Sequence, residues 1–401
     1  MRIPCLMFAL LFVGACSSPH TPAPSVPISS APITTAVRHD VTRLDGRRLS
    51  ADSVERIVTR AMTRAHVPAL AVAIINRGKI AYMAGFGYRD VERKLPLTDT
   101  TVMYAASLTK AMFANLAMQL VDDGVIALDT PIARYLPKPL PSYEKYADLA
   151  GDARWERITP RMLLSHTSGL PNWRFVRPDG KLALDFNPGA HFAYSGEGIN
   201  LLQLVIEEHT GKSVGALMQS RVFDRFGMTR TSMTWQPSFE SEYALGYDST
   251  GAAVGHNKRS SARAAGSADT DIADMARFVQ GVLRDDGLHD ARRRAIWSPQ
   301  IRIRTPFEFP TPSFDTTSRD DAIQLSYGLG WGTFESPYGP AFFKEGHDDV
   351  SWRNYMVAFA RPQSAIVMLS SSANAEPMFP ELLVQLLGDE YSPVKWMGYA
   401  R

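Results

Sequence analysis

The stretch Tyr104-Ala-Ala-Ser107-Leu-Thr-Lys110, which runs directly into the apolar segment 111–121, organises the rest of this sequence. Apolar residues recur in that segment at helical spacing, and Asp122-Asp-Gly124 ends it, so the pattern predicts a helix that begins near Ser107. Ser107 and Lys110 are one helical turn apart and therefore project from the same face. A desolvated lysine amine can accept the proton of a serine hydroxyl, so the pair predicts a nucleophile beside its base. The plainer alternative is that Ser107 only caps the helix.

The pattern Ser-x-x-Lys occurs three times in the chain, so by itself it identifies nothing. Ser142 and Lys145 lie in a Pro-rich run without helical periodicity, and Ser392 precedes a proline close to the C-terminus. We interpret these two matches as solvated surface. Only Ser107 is followed by an apolar helix.

Length and composition favour one large globular unit. The chain has 401 residues, of which 45% are hydrophobic and 21% charged, and its formal net charge is +2. This is enough apolar sequence for one large core or two packed lobes, and there is no electrostatic case for nucleic acid as a partner. No His-Glu-x-x-His pattern or paired cysteines indicate a metal site, so we expect neither a metal nor a cofactor.

The N-terminus has the pattern of an export signal. Cys5 to Val13 form an apolar run that is too short to span a bilayer, and Val13-Gly-Ala-Cys16 resembles the lipobox of bacterial lipoproteins. We predict a signal peptide at 1–15, a lipid on Cys16 and a Pro/Ser/Thr-rich tether up to about residue 46, which would place the protein at the cell envelope, facing the periplasm. The membrane would be contacted through this lipid only. The alternative is an ordinary signal cut near Ala15.

Periodicity in the remaining chain predicts strands at both ends and helices between them. A helix from Ser53 precedes two strands, Ala69 to Ile75 and Lys79 to Gly87, joined by a hairpin with a glycine at 78. Helices are predicted at 156–164, 198–208, 214–223 and 271–283, and strands at 329–334, 340–344, 354–360 and 364–370, before a last helix at 380–387. This order predicts an α/β (α+β) fold in residues 47–401, with one sheet built from distant segments and a mainly helical lobe inserted at roughly 125–285.

Six stretches in this order resemble the serine β-lactamases and penicillin-binding proteins, in particular the class C β-lactamase-like group that includes D-alanyl-D-alanine peptidases, D-aminopeptidases and esterases. The resemblance covers about residues 50 to 390. It implies a β-lactamase/transpeptidase-like fold, an antiparallel sheet flanked by helices. The stretches begin at Ser107, Leu163, Tyr194, Ala265, Tyr327 and Gly346.

The resemblance implies a role for each matching residue. Ser107 would be acylated and Lys110 would take or relay its proton. Tyr194 would pass a proton to the leaving group if nearby cations lowered its pKa, although by itself it resembles a buried aromatic residue with a satisfied hydroxyl. His347, which begins the His347-Asp-Asp349 counterpart of the family's third motif, would offer the substrate a cation or a hydrogen-bond donor, and the oxyanion hole would use the backbone N–H groups of Val350 and Ser107.

Two departures from the family pattern bear on the substrate. Tyr194-Ser-Gly196 lacks the asparagine of Tyr-x-Asn, and Asp349 stands where relatives carry a glycine and would repel a substrate carboxylate. We therefore expect a serine hydrolase of esters or amides acting on a small-molecule or peptide acyl substrate. The alternatives are a true β-lactamase or D-Ala-D-Ala carboxypeptidase, and a catalytically weak penicillin-binding-like envelope protein. We interpret His166, in Ser165-His-Thr, as structural, since adjacent residues cannot easily form a serine-histidine pair.

Overall fold

A computed structural model describes residues 31–284 and 295–400. The expected signal peptide, Cys16 and the first half of the tether lie outside the described residues. The strands are β1 (Ile33–Arg38), β2 (Val41–Thr42), β3 (Arg48–Leu49), β4 (Ala69–Asn76), β5 (Lys79–Asp90), β6 (Leu95–Pro96), β7 (Met103–Tyr104), β8 (Gly246–Tyr247), β9 (Ala253–Gly255), β10 (Asp269–Thr270), β11 (Ile301–Arg302), β12 (Ser326–Tyr327), β13 (Gly332–Ser336), β14 (Gly339–His347), β15 (Arg353–Phe359) and β16 (Ser364–Ser370). The α-helices include α1 (Ala51–Ala65), α2 (Leu108–Asp122), α3 (Pro160–Leu164), α4 (Gly196–Thr210), α5 (Val214–Met218), α6 (Asp224–Phe226), α7 (Ile272–Arg284) and α8 (Phe379–Leu382).

Ten strands form one antiparallel sheet in the order β1-β5-β4-β16-β15-β14-β13-β12-β11, with β6 on β5. The junction between β4 and β16 pairs the N-terminal strands with the C-terminal ones, with Leu70 opposite Ser370. This confirms the predicted sheet assembled from distant segments.

The sheet is the middle layer because its central strands bury both faces. In β4 the alternate residues 69, 71, 73 and 75 belong to one apolar cluster, and residues 70, 72 and 74 belong to another. The first cluster contains side chains of α2, α4 and α7, and the second contains those of α1 and α8. Helix α2 therefore lies buried between the sheet and the helical lobe, and this places Ser107 at the junction of the two.

Local sequence signals explain the elements at the N-terminal side. Ser50 caps α1 by accepting a hydrogen bond from the Ser53 N–H, and β4 and β5 are joined through Arg77 and Gly78, both with positive φ (50° and 71°). The predicted helix and hairpin are both confirmed. The predicted helix at 156–164 is wrong in its first half, because Pro160 with Thr159 as N-cap starts a new helix, α3, after a short 3₁₀ turn at Ala153–Arg157.

The tether prediction is wrong for its second half. Residues 33–38 form β1, which pairs with β5, and β2 pairs with β3 just before α1. The ordered domain thus begins before residue 47, since the mostly β-branched residues at 33–38 can complete a sheet edge despite the preceding proline. Within the described residues, no helix is both long and apolar enough to cross a bilayer.

Candidate active site

Ser107 is the N-cap residue of α2, at the centre of the molecule. The segment before it is held by pairing between β7 and β10 and by the Ala105 N–H, which donates to the Ala268 carbonyl at 2.9 Å. Ala106 has φ 47°, a left-handed conformation that a non-glycine residue adopts at an energetic cost. This turn presents the Ser107 hydroxyl to a cleft at the start of the helix.

Lys110 lies one turn along α2, and its Nζ is 2.8 Å from Ser107 Oγ. Nζ also donates to the Ala265 carbonyl at 2.6 Å, and the side chain is completely buried. Burial, followed by the nearby charge of Lys344, lowers the pKa of Lys110 well below its ordinary value. The predicted pair of nucleophile and amine is thus brought together, and burial favours the neutral form of the amine, which can accept a proton.

Tyr194 lies in the loop immediately before α4, and its side chain lines the same cleft as Ser107. Lys110 Nζ lies 4.9 Å from the centre of the Tyr194 ring, and Lys344 Nζ lies 4.8 Å from it. Burial, followed by the charge of Glu345, nevertheless raises the pKa of Tyr194 well above its ordinary value. The condition named for a proton relay, a pKa lowered by nearby cations, is therefore not met, because desolvation of the phenolate dominates.

Lys344 is a site residue that the sequence analysis missed. It is fully buried in β14, and its Nζ donates to the Tyr194 hydroxyl at 3.1 Å and to the Glu345 side chain. The signal was available, because Lys344-Glu-Gly346 has the Lys-x-Gly spacing of the family's Lys-Thr-Gly motif. The sequence analysis placed that motif three residues later, on His347, and therefore did not identify Lys344.

Gly346 fixes the register of this strand against the nucleophile. A Cβ atom on Gly346 would lie 2.8 Å from the Ala105 carbonyl oxygen and 3.0 Å from the Leu108 nitrogen. Only a glycine permits β14 to approach the start of α2 so closely. The glycine position that the sequence analysis assigned to Asp349 is therefore occupied by Gly346.

This register also changes which residue provides the second N–H donor of the oxyanion hole. In the pairing of β14 with β15 the Asp348 N–H donates to the Trp352 carbonyl at 3.2 Å, and N–H groups alternate in direction along an antiparallel strand. The His347 N–H therefore points away from β15, toward the cleft. Val350 is 49% exposed and its N–H donates to the Asp348 carboxylate, so the structure does not bring Val350 to Ser107.

Asp349 and His347, which belong to the expected third motif, lie at the cleft mouth. Asp349 lines the cleft from an exposed position. His347 also lines it, and burial together with the Arg353 charge lowers the pKa of its imidazole. A neutral imidazole at pH 7 offers one N–H donor, so the expected cation at this position is not supported.

Two buried carboxyl groups, Glu308 and Glu345, interact electrostatically beside Lys344. Burial opposes ionisation of Glu345, but the charge of Lys344 and the hydrogen bonds to the carboxylate, one of them from Lys344, together outweigh burial and lower the Glu345 pKa. Burial and the Glu345 charge raise the pKa of Glu308 well above its ordinary range. The two pKa values are thus shifted in opposite directions, as is typical of adjacent carboxyl groups.

Trp173 explains the missing asparagine of the second motif. A Cβ at Gly196 would lie 2.4 Å from the Trp173 ring, so no larger side chain fits there. The lysine that such an asparagine would steady, Lys110, is held instead by the Ala265 carbonyl. The backbone N–H of Ala265 in turn donates to Asn200 Oδ1 at 3.2 Å. Gly196 thus leaves the space that the Trp173 ring occupies in the cleft wall.

His166 is fully buried below Tyr194, with 4.4 Å between the ring centres. Its Nδ1 accepts a hydrogen bond from the Ser195 N–H at 3.2 Å, and burial lowers its pKa well below the ordinary value. The neutral ring supports the loop that carries Tyr194, in agreement with a structural interpretation.

The remaining matches to Ser-x-x-Lys lie away from the cleft. Ser142 ends a 3₁₀ turn. Ser392 is buried and donates to Asp389 Oδ2 at 2.6 Å, so its assignment to the solvated surface was wrong. Among the tryptophans, Trp173 lines the cleft, whereas Trp331 and Trp352 lie in the core.

The cleft at Ser107 has a volume of about 620 Å³. It is lined by residues from the loops at 172–176, 263–266 and 309–311 and from the end of β14, together with Tyr104, Ser107 and Tyr194. Across residues 31–284 and 295–400, no group of three or more His, Cys, Asp or Glu side chains is arranged to hold a metal ion.

Known proteins resemble this chain over most of its length. A β-lactamase of Escherichia coli (strain K12) is 27% identical over 328 residues, which cover 79% of this chain and 78% of that protein. A D-aminopeptidase of Gluconobacter oxydans is 23% identical, with 85% of this chain and 63% of that protein covered. Protein flp of Staphylococcus aureus (strain N315) is 26% identical over 225 residues, and the match covers 51% of this chain and 43% of that relative's length.

Two solved structures share the fold. The octameric penicillin-binding protein homologue of Pyrococcus abyssi superposes with a TM-score of 0.68 at 22% identity, covering 85% of this chain and 78% of that one. The D-alanine carboxypeptidase AmpC of Burkholderia cenocepacia gives 0.66 at 20% identity, covering 84% and 98%. A sequence model of the β-lactamase family matches residues 54–387. This chain therefore belongs to the β-lactamase family, whose members are serine hydrolases.

Proposed function

We propose that this protein hydrolyses an ester or amide through an acyl-enzyme on Ser107. The observation that carries the proposal is the 2.8 Å contact between Ser107 Oγ and the Nζ of a fully buried Lys110. A serine hydroxyl needs such an adjacent base to become a nucleophile.

Lys110 acts as the base in this mechanism. Its lowered pKa keeps the amine neutral, whereas the raised pKa of Tyr194 keeps that residue a phenol. Ser107 Oγ bonds to the substrate carbonyl carbon as its proton passes to Lys110 Nζ. The bond to the leaving group then breaks, and the leaving atom takes the proton through the Tyr194 hydroxyl, which stays a phenol by receiving one from Lys110. In the second half, water attacks the acyl carbon as Lys110 accepts its proton. The bond between the acyl carbon and Ser107 Oγ then breaks, and Oγ takes that proton back from Lys110 Nζ.

The oxyanion of each tetrahedral intermediate is stabilised by the backbone N–H groups of Ser107 and His347. Ser107 is at the start of α2, where N–H groups have no carbonyl one turn earlier. The His347 N–H points into the cleft from the unpaired side of β14. Two fixed donors of this kind stabilise charge that appears only during the reaction.

Glu345 disfavours substrates that carry a carboxylate. Its side chain is 2% exposed, lines the cleft and is ionised beside Lys344. A substrate carboxylate held close to it would be repelled in a medium where charges are weakly screened. Neutral esters and amides therefore rank above penicillins and peptides ending in D-Ala-D-Ala. Hydrolysis of a β-lactam or a D-amino acid peptide remains the second candidate, because it is supported by the similarity to a β-lactamase and a D-aminopeptidase.

Covalent labelling tests the proposal. A fluorescent fluorophosphonate should label the wild-type protein and fail to label Ser107→Ala, with unfolding temperatures compared to show that the variant is folded. No labelling by either the fluorophosphonate or a fluorescent penicillin would contradict the proposal and favour a non-catalytic binding protein. Faster hydrolysis of a cephalosporin than of p-nitrophenyl acetate would reverse the substrate ranking.

We also propose that the protein is a lipoprotein of the cell envelope, on the basis of the Val13-Gly-Ala-Cys16 sequence. The full chain expressed in a Gram-negative host should incorporate radiolabelled palmitate and sediment with membranes. Cys16→Ser should lose both properties. Palmitate incorporation that persists in Cys16→Ser would contradict the assignment of the anchor.

A further inference from the structure

An apolar wall formed by Trp173, Phe175 and Val176 stands open beside Ser107. The Trp173 and Phe175 rings are stacked, with centres 5.9 Å apart and planes 10° apart. Phe175 is 69% exposed and Val176 is 62% exposed, and all three residues line the cleft. Large apolar side chains left this open beside a cleft are typical of a binding surface.

The apolar wall is held in place by Arg174, which lies between Trp173 and Phe175 in the sequence. Arg174 donates to Glu197 Oε1 at 3.0 Å and to the Lys145 carbonyl at 2.7 Å. Glu197 is buried in α4, directly after the Tyr194 loop. The wall is therefore preformed, and a ligand that covers it need not order a loose segment.

The position of the wall indicates which part of the substrate it contacts. The Phe309 ring packs edge-on against Tyr194, with centres 5.4 Å apart, and against His347, with centres 5.7 Å apart. Tyr194 gives the leaving group its proton, so the leaving group occupies the part of the cleft that these rings line. The Trp173 ring lies instead against Gly196 at the start of α4, and Lys110 Nζ is 5.7 Å from its centre and 4.9 Å from the Tyr194 ring centre. The acyl group, which stays bonded to Ser107, is left to face the apolar wall.

We infer that Trp173, Phe175 and Val176 form a subsite for a bulky apolar acyl group, aliphatic or aromatic, without a carboxylate. This inference rests on the proposed function and specifies its substrate class. The cleft, at about 620 Å³, is far larger than an acetyl group requires. Contact of a longer acyl group with the wall continues from the bound ester into the transition state and the acyl-enzyme, so it raises kcat/KM.

A series of p-nitrophenyl esters tests the subsite, because the leaving group is constant and only the acyl group changes. We expect kcat/KM to rise at least tenfold from acetate to octanoate in the wild-type protein. Phe175→Ala should lower the ratio of octanoate to acetate kcat/KM about fivefold to tenfold. Phe314→Ala is the matched control, because Phe314 is also 59% exposed but packs on Phe186 and His191 outside the cleft lining, and it should leave the ratio unchanged.

The outcomes separate this inference from the proposed function. If Ser107-dependent hydrolysis is present but the ratio of octanoate to acetate stays below about two, the subsite is wrong and the hydrolase assignment stands. An equal effect of Phe175→Ala and Phe314→Ala on the ratio would also overturn the subsite, since it would show a general surface effect such as contact with substrate micelles. Absence of any Ser107-dependent hydrolysis of these esters would overturn both.

Discussion

Substitution of Gly346 by alanine tests the register on which the candidate active site depends. The added Cβ would lie 2.8 Å from the Ala105 oxygen and 3.0 Å from the Leu108 nitrogen, whereas ordinary contacts begin at 3.4 Å. Either β14 or the start of α2 must therefore move by about 0.6 Å. Both contacted atoms belong to the backbone that flanks Ser107, so the movement falls directly on the nucleophile and the oxyanion donors.

The expected result is a large loss of rate with a smaller loss of stability. Displacements of about 1 Å in a catalytic arrangement cost about a hundredfold, so we expect kcat to fall about tenfold to a hundredfold. Overpacking of a buried site costs about 1–3 kcal/mol, which leaves a protein of this size folded. The assay is kcat for p-nitrophenyl acetate and the rate of fluorophosphonate labelling, measured alongside chemical unfolding.

Gly215→Ala provides the matched control. Gly215 lies in α5, and its added Cβ would be 3.7 Å from Ala262 Cβ, an ordinary contact. This variant should keep the wild-type kcat. A Gly346→Ala protein with kcat within twofold of wild type would refute the packing argument.

Three further predictions concern the groups around Ser107. Lys110→Ala should lower kcat/KM about 10²-fold to 10⁴-fold, and Lys110→Arg should not restore it because a guanidinium stays protonated. Comparable rates of ester hydrolysis for the wild type and both variants would contradict the assignment of Lys110 as the base. Lys344→Met should move the acid limb of the kcat/KM profile to higher pH: the base works when neutral, and removing a cation raises the pKa of Lys110. The Lys110 and Lys344 amines lie 4.9 Å and 4.8 Å from the Tyr194 ring centre, hence no more than about 10 Å apart. At an effective dielectric constant of about 20, the expected shift of the acid limb is therefore roughly one pH unit. An acid limb that stays in place or moves to lower pH would contradict this prediction. His166→Ala should lower the free energy of unfolding by about 1–3 kcal/mol, since the buried Ser195 N–H loses its acceptor. The folded variant should still be labelled at Ser107 by the fluorophosphonate. Lost labelling with unchanged stability would indicate a catalytic histidine instead.

Local patterns were sufficient to predict most elements of the sheet and the helices around it. The predicted strand at 364–370 coincides with β16, in which every residue is buried, and the predicted helix from Ser53 is α1. A continuous apolar run and helical spacing are both properties of neighbouring residues. The tether was predicted too long, because whether 33–38 forms a strand depends on an open edge of β5 that the local sequence does not reveal.

The contact between Ser107 and Lys110 was also determined by the sequence, since one helical turn fixes their separation. Only the tertiary structure decided what surrounds them. Lys344 reaches Tyr194 across 150 positions of sequence, and Glu308 meets Glu345 from a separate loop. The registers of these contacts are set by strand pairing and by the space left at Gly346, and the pKa directions follow from burial and from the charges that the fold brings together. Spacing along a helix is a local property, whereas desolvation and the approach of distant backbone segments exist only once the chain is folded.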